Sequence, residues 1–258
     1  MSAGQAAHIL VLLKSIFNWG KRRPAWKQVG LSINPAEDIM RPYKPRPRKR
    51  FLSDDEIRTV WFAVEEAGMT EAGRIAMRLT LATGQRPGEV IGIAKSELHL
   101  EDTEPFWLIP EGRTKNSNEH KLPLSRMALK LIEKALAILD KEERDSDFLF
   151  PSPRKNKGDR SCGEGLIRRG LDRMFRDGLW TGKRFSPHDL RRTVASHMAA
   201  LGVDRTVIGK VLNHISMDNA SVTGMHYDQH LYAEEKRHAL ELWAQKLEGI
   251  LGEEKEAQ

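Results

Sequence analysis

Groups suited to binding and cleaving a phosphodiester are concentrated between residues 186 and 227. His188 and Arg191 lie three residues apart in Ser-Pro-His-Asp-Leu-Arg-Arg-Thr, His214 follows in Leu-Asn-His, and Tyr227 follows in His-Tyr-Asp. Imidazoles transfer protons, and guanidiniums neutralise phosphate charge. A phenol, with a reference pKa of about 10, needs a nearby base or positive potential to act as a nucleophile at neutral pH. The stretch predicts part of an active site, provided that these groups meet.

Arg86, about a hundred residues upstream, is the expected partner of this stretch. It stands in Thr-Gly-Gln-Arg-Pro-Gly-Glu, where Gly84 predicts the end of one helix and Pro87 the start of the next. Glu89 is placed to orient the guanidinium, and the simpler alternative is a structural Arg86–Glu89 ion pair. Lys115, on a polar turn, is a candidate proton donor, although a lysine on such a turn is usually a solvated charge.

The elements that must position these groups are mostly helices. Apolar periodicity predicts helices at 8–20, 71–83, 126–140, 165–178, 187–201, 204–213 and 231–251, another after the Ser53–Glu56 capping box, and another beginning at Pro87. Leu190, Val194, Met198 and Leu201 are expected to form one buried face. Short strands are predicted at 98–102, 106–110 and 121–124. The predicted class is therefore α+β, mainly helical, with a small antiparallel sheet.

Charge and composition divide the chain further. Residues 1–50 hold 11 Lys/Arg against 2 acids, whereas residues 51–258 hold 31 against 34. Within the second part, residues 154–192 carry 12 Lys/Arg against 5 acids. Collected basic charge indicates a polyanionic partner, and a solvated surface is the alternative. We predict that residues 1–40 are the C-terminal remnant of a larger helical domain, that residues 41–50 are a basic proline-containing linker, and that residues 51–258 are a catalytic domain.

Composition also excludes several classes of protein. Cys162 is the single cysteine, which excludes an internal disulfide framework and a thiolate-rich zinc site and favours a cytoplasmic setting. No apolar run approaches the roughly 18 residues of a membrane span.

The order and spacing of Arg86, Lys115, His188, Arg191, His214 and Tyr227 resemble the tyrosine recombinase (phage integrase) family. The resemblance covers about residues 50–251, and the tail after Tyr227 is similar to that of prophage and genomic-island integrases. The sequence departs from the family pattern at Asn213, where glycine is common, and it contains a second tyrosine, Tyr232, that could be mistaken for the nucleophile. Asparagine tolerates a left-handed helix end, so we expect a small effect. We interpret Tyr232 as a packing residue.

The resemblance implies a function and a role for each group. Tyr227 would attack the scissile phosphate to give a 3′-phosphotyrosine, Arg86, Arg191 and His214 would stabilise the phosphate, His188 would accept a proton, and Lys115 would protonate the leaving 5′ oxygen. No metal, ATP or other cofactor would be needed. The implied partners are double-stranded attachment sites, a homotetramer formed on DNA from monomers, and a possible excisionase or DNA-bending protein. The predicted DNA-contacting side chains are Arg46, Arg48, Lys49, Arg50, Arg113, Lys121, Arg154, Lys155 and Arg192, the last with a salt bridge as its alternative.

Three other functions stay open at this point. A topoisomerase of the type IB class would use the same chemistry without sequence preference, and a DNA-binding protein would use the basic groups without chemistry. A metal-dependent nuclease would need ligands such as His226 and His230, for which the sequence offers no evident third partner. The amphipathic helix at the end of the chain could pack on its own domain or dock on a neighbouring protomer.

Overall fold

The computed structural model describes residues 2–22, 33–42, 50–114, 118–154, 158–163, 165–214 and 232–252. The chain divides into two compact units, residues 1–49 and residues 50–258. Among the described residues, no helix is long and apolar enough to cross a membrane.

The first unit is built on helix α1, Ala3–Lys21. The helix begins at a Ser2–Gln5 capping box, five residues before the predicted start. Asn34 joins the following segment to α1, because its side-chain amide donates to the Lys14 carbonyl and to Asn18 Oδ1. The apolar residues Ile9, Leu12, Leu13 and Ile16 of α1 are exposed within this unit.

The second unit is organised around helix α3, Glu71–Thr83, which is buried continuously from Ile75 to its last residue. It is preceded by α2, Asp54–Ala63, which starts at the predicted Ser53–Glu56 capping box. The short helix α4, Pro87–Ile91, follows directly after α3. The Ile75–Ala82 stretch can be buried because it is apolar except for Arg78 and Thr80, which donate to the Trp61 and Ala76 carbonyls.

A three-stranded antiparallel sheet comes next, in the order β1 (Leu98–His99), β2 (Phe106–Ile109) and β3 (His120–Pro123). The register pairs Trp107 with Leu122 and Ile109 with His120. Trp107, Ile109 and Leu122 are fully buried, so one face of the sheet closes the core. β1 and β2 are shorter than predicted, whereas β3 has the predicted length and begins one residue earlier. The number and pairing of the strands agree with the predicted class.

Five helices complete the described part of the second unit. They are α5 (Arg126–Lys141), α6 (Gly165–Arg176), α7 (Pro187–Ala200), α8 (Arg205–Val211) and α9 (Ala233–Leu251). Helix α3 packs against α5, α6 and α7, and α9 packs against α2, α3, α7, α8 and β3. The predicted buried face of α7 holds for Leu190, Val194 and Met198, whereas Leu201 is 38% exposed because α7 has ended before it.

The last described helix, α9, therefore packs on its own domain. Trp243 is fully buried, and its indole Nε1–H donates to the Leu81 carbonyl at 2.8 Å. Arg58 of α2 closes the other end of the interface by donating to the Ile250 carbonyl at 2.6 Å.

Gly84 lies where α3, α7 and α8 meet. It ends α3 in the left-handed region, at φ 67°, and a Cβ there would lie 3.0 Å from both Leu212 Cδ2 and Val194 Cγ1. Only glycine satisfies both the backbone conformation and the close packing.

We predict that Gly84→Ala lowers the free energy of unfolding more than Gly202→Ala does. Gly202 also has a positive φ, of 83°, but has open space around its missing Cβ. In the Gly202→Ala control the free energy of unfolding should fall only by the cost of placing alanine in the left-handed region, about 1–2 kcal/mol. Gly84→Ala should lose about 1–3 kcal/mol more through overpacking. Urea denaturation measures both, and equal losses would show that the packing around Gly84 tolerates a methyl group.

Candidate active site

Arg86 sits at the joint between α3 and α4, as the sequence predicted. Its guanidinium Nη1 donates to Glu89 Oε1 at 2.6 Å, and its backbone N–H donates to Glu89 Oε2 at 3.1 Å. Glu89 is 5% exposed, so this carboxylate is a buried anchor. A second guanidinium nitrogen, Nη2, donates to the Asn213 carbonyl at 3.3 Å. The expected Arg86–Glu89 contact is present, and it leaves the arginine side chain 20% exposed.

Arg191 enters the same region from the first turns of α7, but from inside the protein. Its side chain is only 2% exposed. Nη1 donates to the Gly84 carbonyl at 2.9 Å, and Nη2 donates to the Leu212 carbonyl. Burial, followed by the nearby charge of Arg86, lowers the pKa of Arg191 to about 10, so the group is still protonated at neutral pH. A guanidinium has five N–H donors, and these two contacts use two of them.

The end of α8 connects these arginines. Three successive carbonyls accept from other segments of the chain: Val211 from Gln85 Nε2 at 2.9 Å and His120 Nε2 at 3.1 Å, Leu212 from Arg191, and Asn213 from Arg86. The last carbonyls of a helix lack intrahelical partners and carry partial negative charge. Cationic and amide donors are therefore well placed there.

His214 follows this turn directly. Asn213 adopts a left-handed conformation at φ 46°, which the sequence had predicted an asparagine would tolerate, and the His214 N–H returns to the Gly209 carbonyl at 2.9 Å. The residue as a whole is exposed. Its partial burial, with the positive charges of Arg191 and Arg86, lowers the pKa of His214 to about 4. The imidazole is therefore neutral at pH 7.

His188 lies at the start of α7 and is also exposed. Partial burial, followed by the charges of Arg192 and Arg191, lowers its pKa below the ordinary value. Beneath it, the buried Asp189 carboxylate accepts from the backbone N–H and hydroxyl of Ser186 and from Arg192 Nη1. Arg192 thus forms the salt bridge that the sequence allowed, at 3.0 Å.

Arg86, Arg191, His188 and His214 therefore come together from three segments distant in sequence. The charges of both arginines reach both imidazoles and depress their pKa values. The result is a positively charged site whose two histidines are free bases at neutral pH. Such a site can bind an anion and accept a proton.

Other predicted site residues lie outside the described residues: Tyr227, Lys115, Arg46, Arg48, Lys49 and Lys155, as well as the possible metal ligands His226 and His230. In the part of the chain that is described, no group of three or more His, Cys, Asp or Glu side chains could hold a metal ion.

The remaining predicted DNA-contacting residues differ in how free their side chains are. Arg154 and Lys121 are exposed, and Lys121 Nζ lies 3.8 Å from the Phe106 ring centroid. Arg50 instead forms a bidentate pair with Glu56 at 2.7 Å on both nitrogens. Arg113 is bonded to Glu97 and to the Glu89 carbonyl. Arg50 and Arg113 therefore have structural partners, and their contact with DNA stays a prediction.

Sequence reasoning missed three buried groups that support the site: Gln85, His120 and Lys236. Gln85 stands between Gly84 and Arg86, inside the motif, and could have been noticed there. His120 and Lys236 carry no such signal, because each acts through a residue about a hundred positions away: Val211 in one case and Lys121 in the other.

Comparison with known proteins identifies the family to which the chain belongs. The profile of the phage integrase family matches residues 50–234, which is most of the chain. The chain belongs to the phage integrase family. As a tyrosine recombinase, it is an enzyme of DNA strand breakage and rejoining, and it carries out site-specific recombination.

The chain is also similar to individual family members. It is 27% identical to tyrosine recombinase XerC of Escherichia coli O157:H7 (strain EC4115 / EHEC) over 232 residues, covering 90% of this chain and 72% of XerC. A lambda integrase (75–356) dimer bound to a COC′ core site matches with a TM-score of 0.61 at 20% identity, over 83% of this chain and 73% of that one. The integrase from mycobacterium phage Brujita matches with a TM-score of 0.55 at 17% identity, over 98% and 79%. The two structures agree with the predicted fold.

We predict that this recombinase loses stability as the pH falls from 7 to 5. Burial, followed by the charge of Lys236, lowers the pKa of His120 to about 3, so below pH 6.5 the unfolded chain binds a proton that the folded chain does not. At pH 5 this should lower the free energy of unfolding by about 2 kcal/mol. Denaturation at several pH values should show a shallower pH dependence of stability for His120→Gln than for wild type, and His238→Gln, at an exposed position, is the control for loss of a histidine. Parallel curves of stability against pH for wild type and His120→Gln would show that His120 is not the group that takes up a proton on unfolding.

Proposed function

We propose that this recombinase integrates or excises mobile DNA through a covalent 3′-phosphotyrosine formed by Tyr227. The observation that carries the proposal is the convergence of Arg86, Arg191, His188 and His214 at the end of α8. Two guanidiniums beside two neutral imidazoles suit a phosphodiester whose negative charge increases during substitution at phosphorus.

The first step is attack of the Tyr227 phenol oxygen on the scissile phosphorus. A bond from that oxygen to phosphorus forms, and the bond from phosphorus to the 5′ oxygen breaks. Arg86 and Arg191 stabilise the charge on the non-bridging oxygens. His214 contributes one N–H donor, since its low pKa keeps the ring neutral and a neutral imidazole carries a single N–H. Glu89 keeps the Arg86 guanidinium in a fixed orientation.

Two proton transfers accompany this step. His188 accepts the phenol proton, and its lowered pKa supports the role because the ring is unprotonated at neutral pH. Lys115 donates a proton to the leaving 5′ oxygen. In strand transfer a second 5′-hydroxyl attacks the phosphotyrosine and the transfers run in reverse. The phosphodiester energy is retained in the covalent bond, so neither ATP nor a metal is required.

The substrate and assembly are also part of the proposal. The substrate is double-stranded DNA with an attachment site, held by the basic linker at 41–50, by Arg154 and Lys155, and by Lys121 and Arg192. A solved relative is described as a lambda integrase tetramer bound to a Holliday junction. We extend that assembly to this chain, with monomers joining on DNA in the cytoplasm and with an excisionase or DNA-bending protein as a possible helper. Residues 1–40 would be the end of a helical DNA-binding domain.

The mobile-DNA role is supported by phage integrases among the solved relatives and by the tail after Tyr227. The curated relatives are named XerC. Exchange between attachment sites on two DNA molecules, compared with resolution of two sites on one molecule, tests which reaction the enzyme prefers.

We predict that Tyr227→Phe abolishes the covalent protein–DNA adduct on a nicked substrate carrying the attachment site, without changing DNA affinity. The substitution keeps the aromatic ring and removes the attacking oxygen. Tyr232→Phe is the matched control and should form the adduct at the wild-type rate, because the Tyr232 ring lies at the start of α9 beside Lys210. Mass spectrometry of the DNA-linked peptide identifies the residue, and a peptide linked through Tyr232 would overturn the assignment.

We predict that Arg86→Ala and Arg191→Lys each slow adduct formation by about 10²–10³-fold, as for other preorganised donors that stabilise a transition state. Arg173→Ala is the matched control, because Arg173 donates to the Gly68 carbonyl at 2.6 Å, at the far end of α3. It should cleave at the wild-type rate. Single-turnover cleavage measures all three, and an Arg86→Ala variant as fast as wild type would refute a shared phosphate site.

A further inference from the structure

His120 is a buried titratable group that the proposed reaction does not use. It begins strand β3, is 5% exposed, and lies within the electrostatic reach of Arg191 and Arg86. Its sequence neighbour Lys121 presents its side chain to solvent. His120 therefore points into the protein towards the same region as the site arginines.

The hydrogen bond of His120 determines which nitrogen carries its proton. Nε2 lies 3.1 Å from the Val211 carbonyl oxygen, and a carbonyl can only accept. Nε2 must therefore be protonated. Because the pKa of His120 is about 3, the ring is neutral at working pH and Nδ1 carries no proton.

The surroundings of His120 keep it in this form. Lys236 of α9, which is 6% exposed, is the charge that lowers the pKa of His120 most, and its Nζ donates to the Lys121 carbonyl at 2.6 Å. Arg191 from α7 and Arg86 from the start of α4 add further positive charge. A second proton on the ring would be buried among these cations, so His120 is a permanent N–H donor and not an acid or base.

The carbonyl that His120 holds belongs to the turn that builds the site. Val211 is followed by Leu212 and Asn213, whose carbonyls accept from Arg191 and Arg86, and then by His214. Gln85 donates to the same Val211 oxygen at 2.9 Å. A shift of this carbonyl would move both arginine acceptors and His214 together.

We propose that His120 is a positioning residue for DNA cleavage: as a neutral Nε2–H donor to Val211, it fixes the last turn of α8, and with it Arg86, Arg191 and His214. This inference rests on the proposed function for its link to cleavage. Lys236 extends the support, because it fastens the neighbouring backbone of β3 to α9.

The first test compares two substitutions that differ in the donor. His120→Gln places an amide N–H at a reach similar to Nε2, whereas His120→Phe fills the space without a donor. His120→Phe should form the covalent adduct about 10–100-fold more slowly, the scale expected for small misplacements in an active site. His120→Gln should restore the rate to within a few-fold of wild type, and DNA affinity should be equal in all three. Equal rates for Phe and wild type, or equal slowing by Gln and Phe, would overturn the proposal.

The second test measures NMR spectra, first of the wild-type protein and then of the same two variants, and it does not depend on activity. In ¹⁵N-histidine NMR spectra between pH 5 and 8, His120 should stay neutral with its proton on Nε2. The His214 ring signals should move in His120→Phe but not in His120→Gln. A His120 ring that titrates in this range, or carries its proton on Nδ1, would contradict the proposal even if His120→Phe fails to fold. If wild type forms no adduct, the proposed function fails while these spectra still decide the link to His214.

Discussion

The site depends on the unpaired carbonyls at the end of one short helix, Arg205–Val211. A helix leaves its last carbonyl groups without intrahelical partners, and here Val211, Leu212 and Asn213 obtain partners from distant segments. The donors are side chains to which we assign a role in the reaction, or side chains that hold those in place. The contacts that satisfy the helix end are therefore the same contacts that assemble the proposed phosphate site, and His214 is the next residue in the chain.

This arrangement concentrates positive charge, and the protein limits the resulting repulsion in two ways. The Glu89 carboxylate, buried beside Arg86, supplies the compensating negative charge. The nearby imidazoles of His120, His188 and His214 are neutral, because burial and the arginine charges lower their pKa values. The balance leaves two protonated guanidiniums, that of Arg86 partly exposed and that of Arg191 almost fully buried, beside two unprotonated rings at the exposed edge. The transition state at phosphorus carries more negative charge than the bound phosphodiester. It would therefore complete the charge balance, and the site would bind it more tightly than the ground state.

Local signals in the sequence predicted much of this structure. Gly84 and Pro87 marked the joint that holds Arg86, and the Ser53–Glu56 box marked the start of α2, because caps and breakers act over a few residues. The spacing of His188 and Arg191 placed them on one helix, but it did not indicate that one is exposed and the other almost fully buried. His120 could not be predicted, because its partner Val211 is 91 residues away and their meeting depends on how β3 packs against α8. The same reason applies to the intramolecular partners of Arg50 and Arg113.

Arg86 and Arg191, held by the end of α8, are the groups that we propose to neutralise one scissile phosphate. The most direct measurement is cleavage of a substrate whose non-bridging phosphate oxygen is replaced by a methyl group, which removes the negative charge. On this substrate Arg86→Ala and Arg191→Lys should cleave nearly as fast as wild type, whereas on the ordinary phosphate they should be slower by about 10²–10³-fold. Variants that are equally impaired on both substrates would contradict the claim, because their defect would then not concern the phosphate charge.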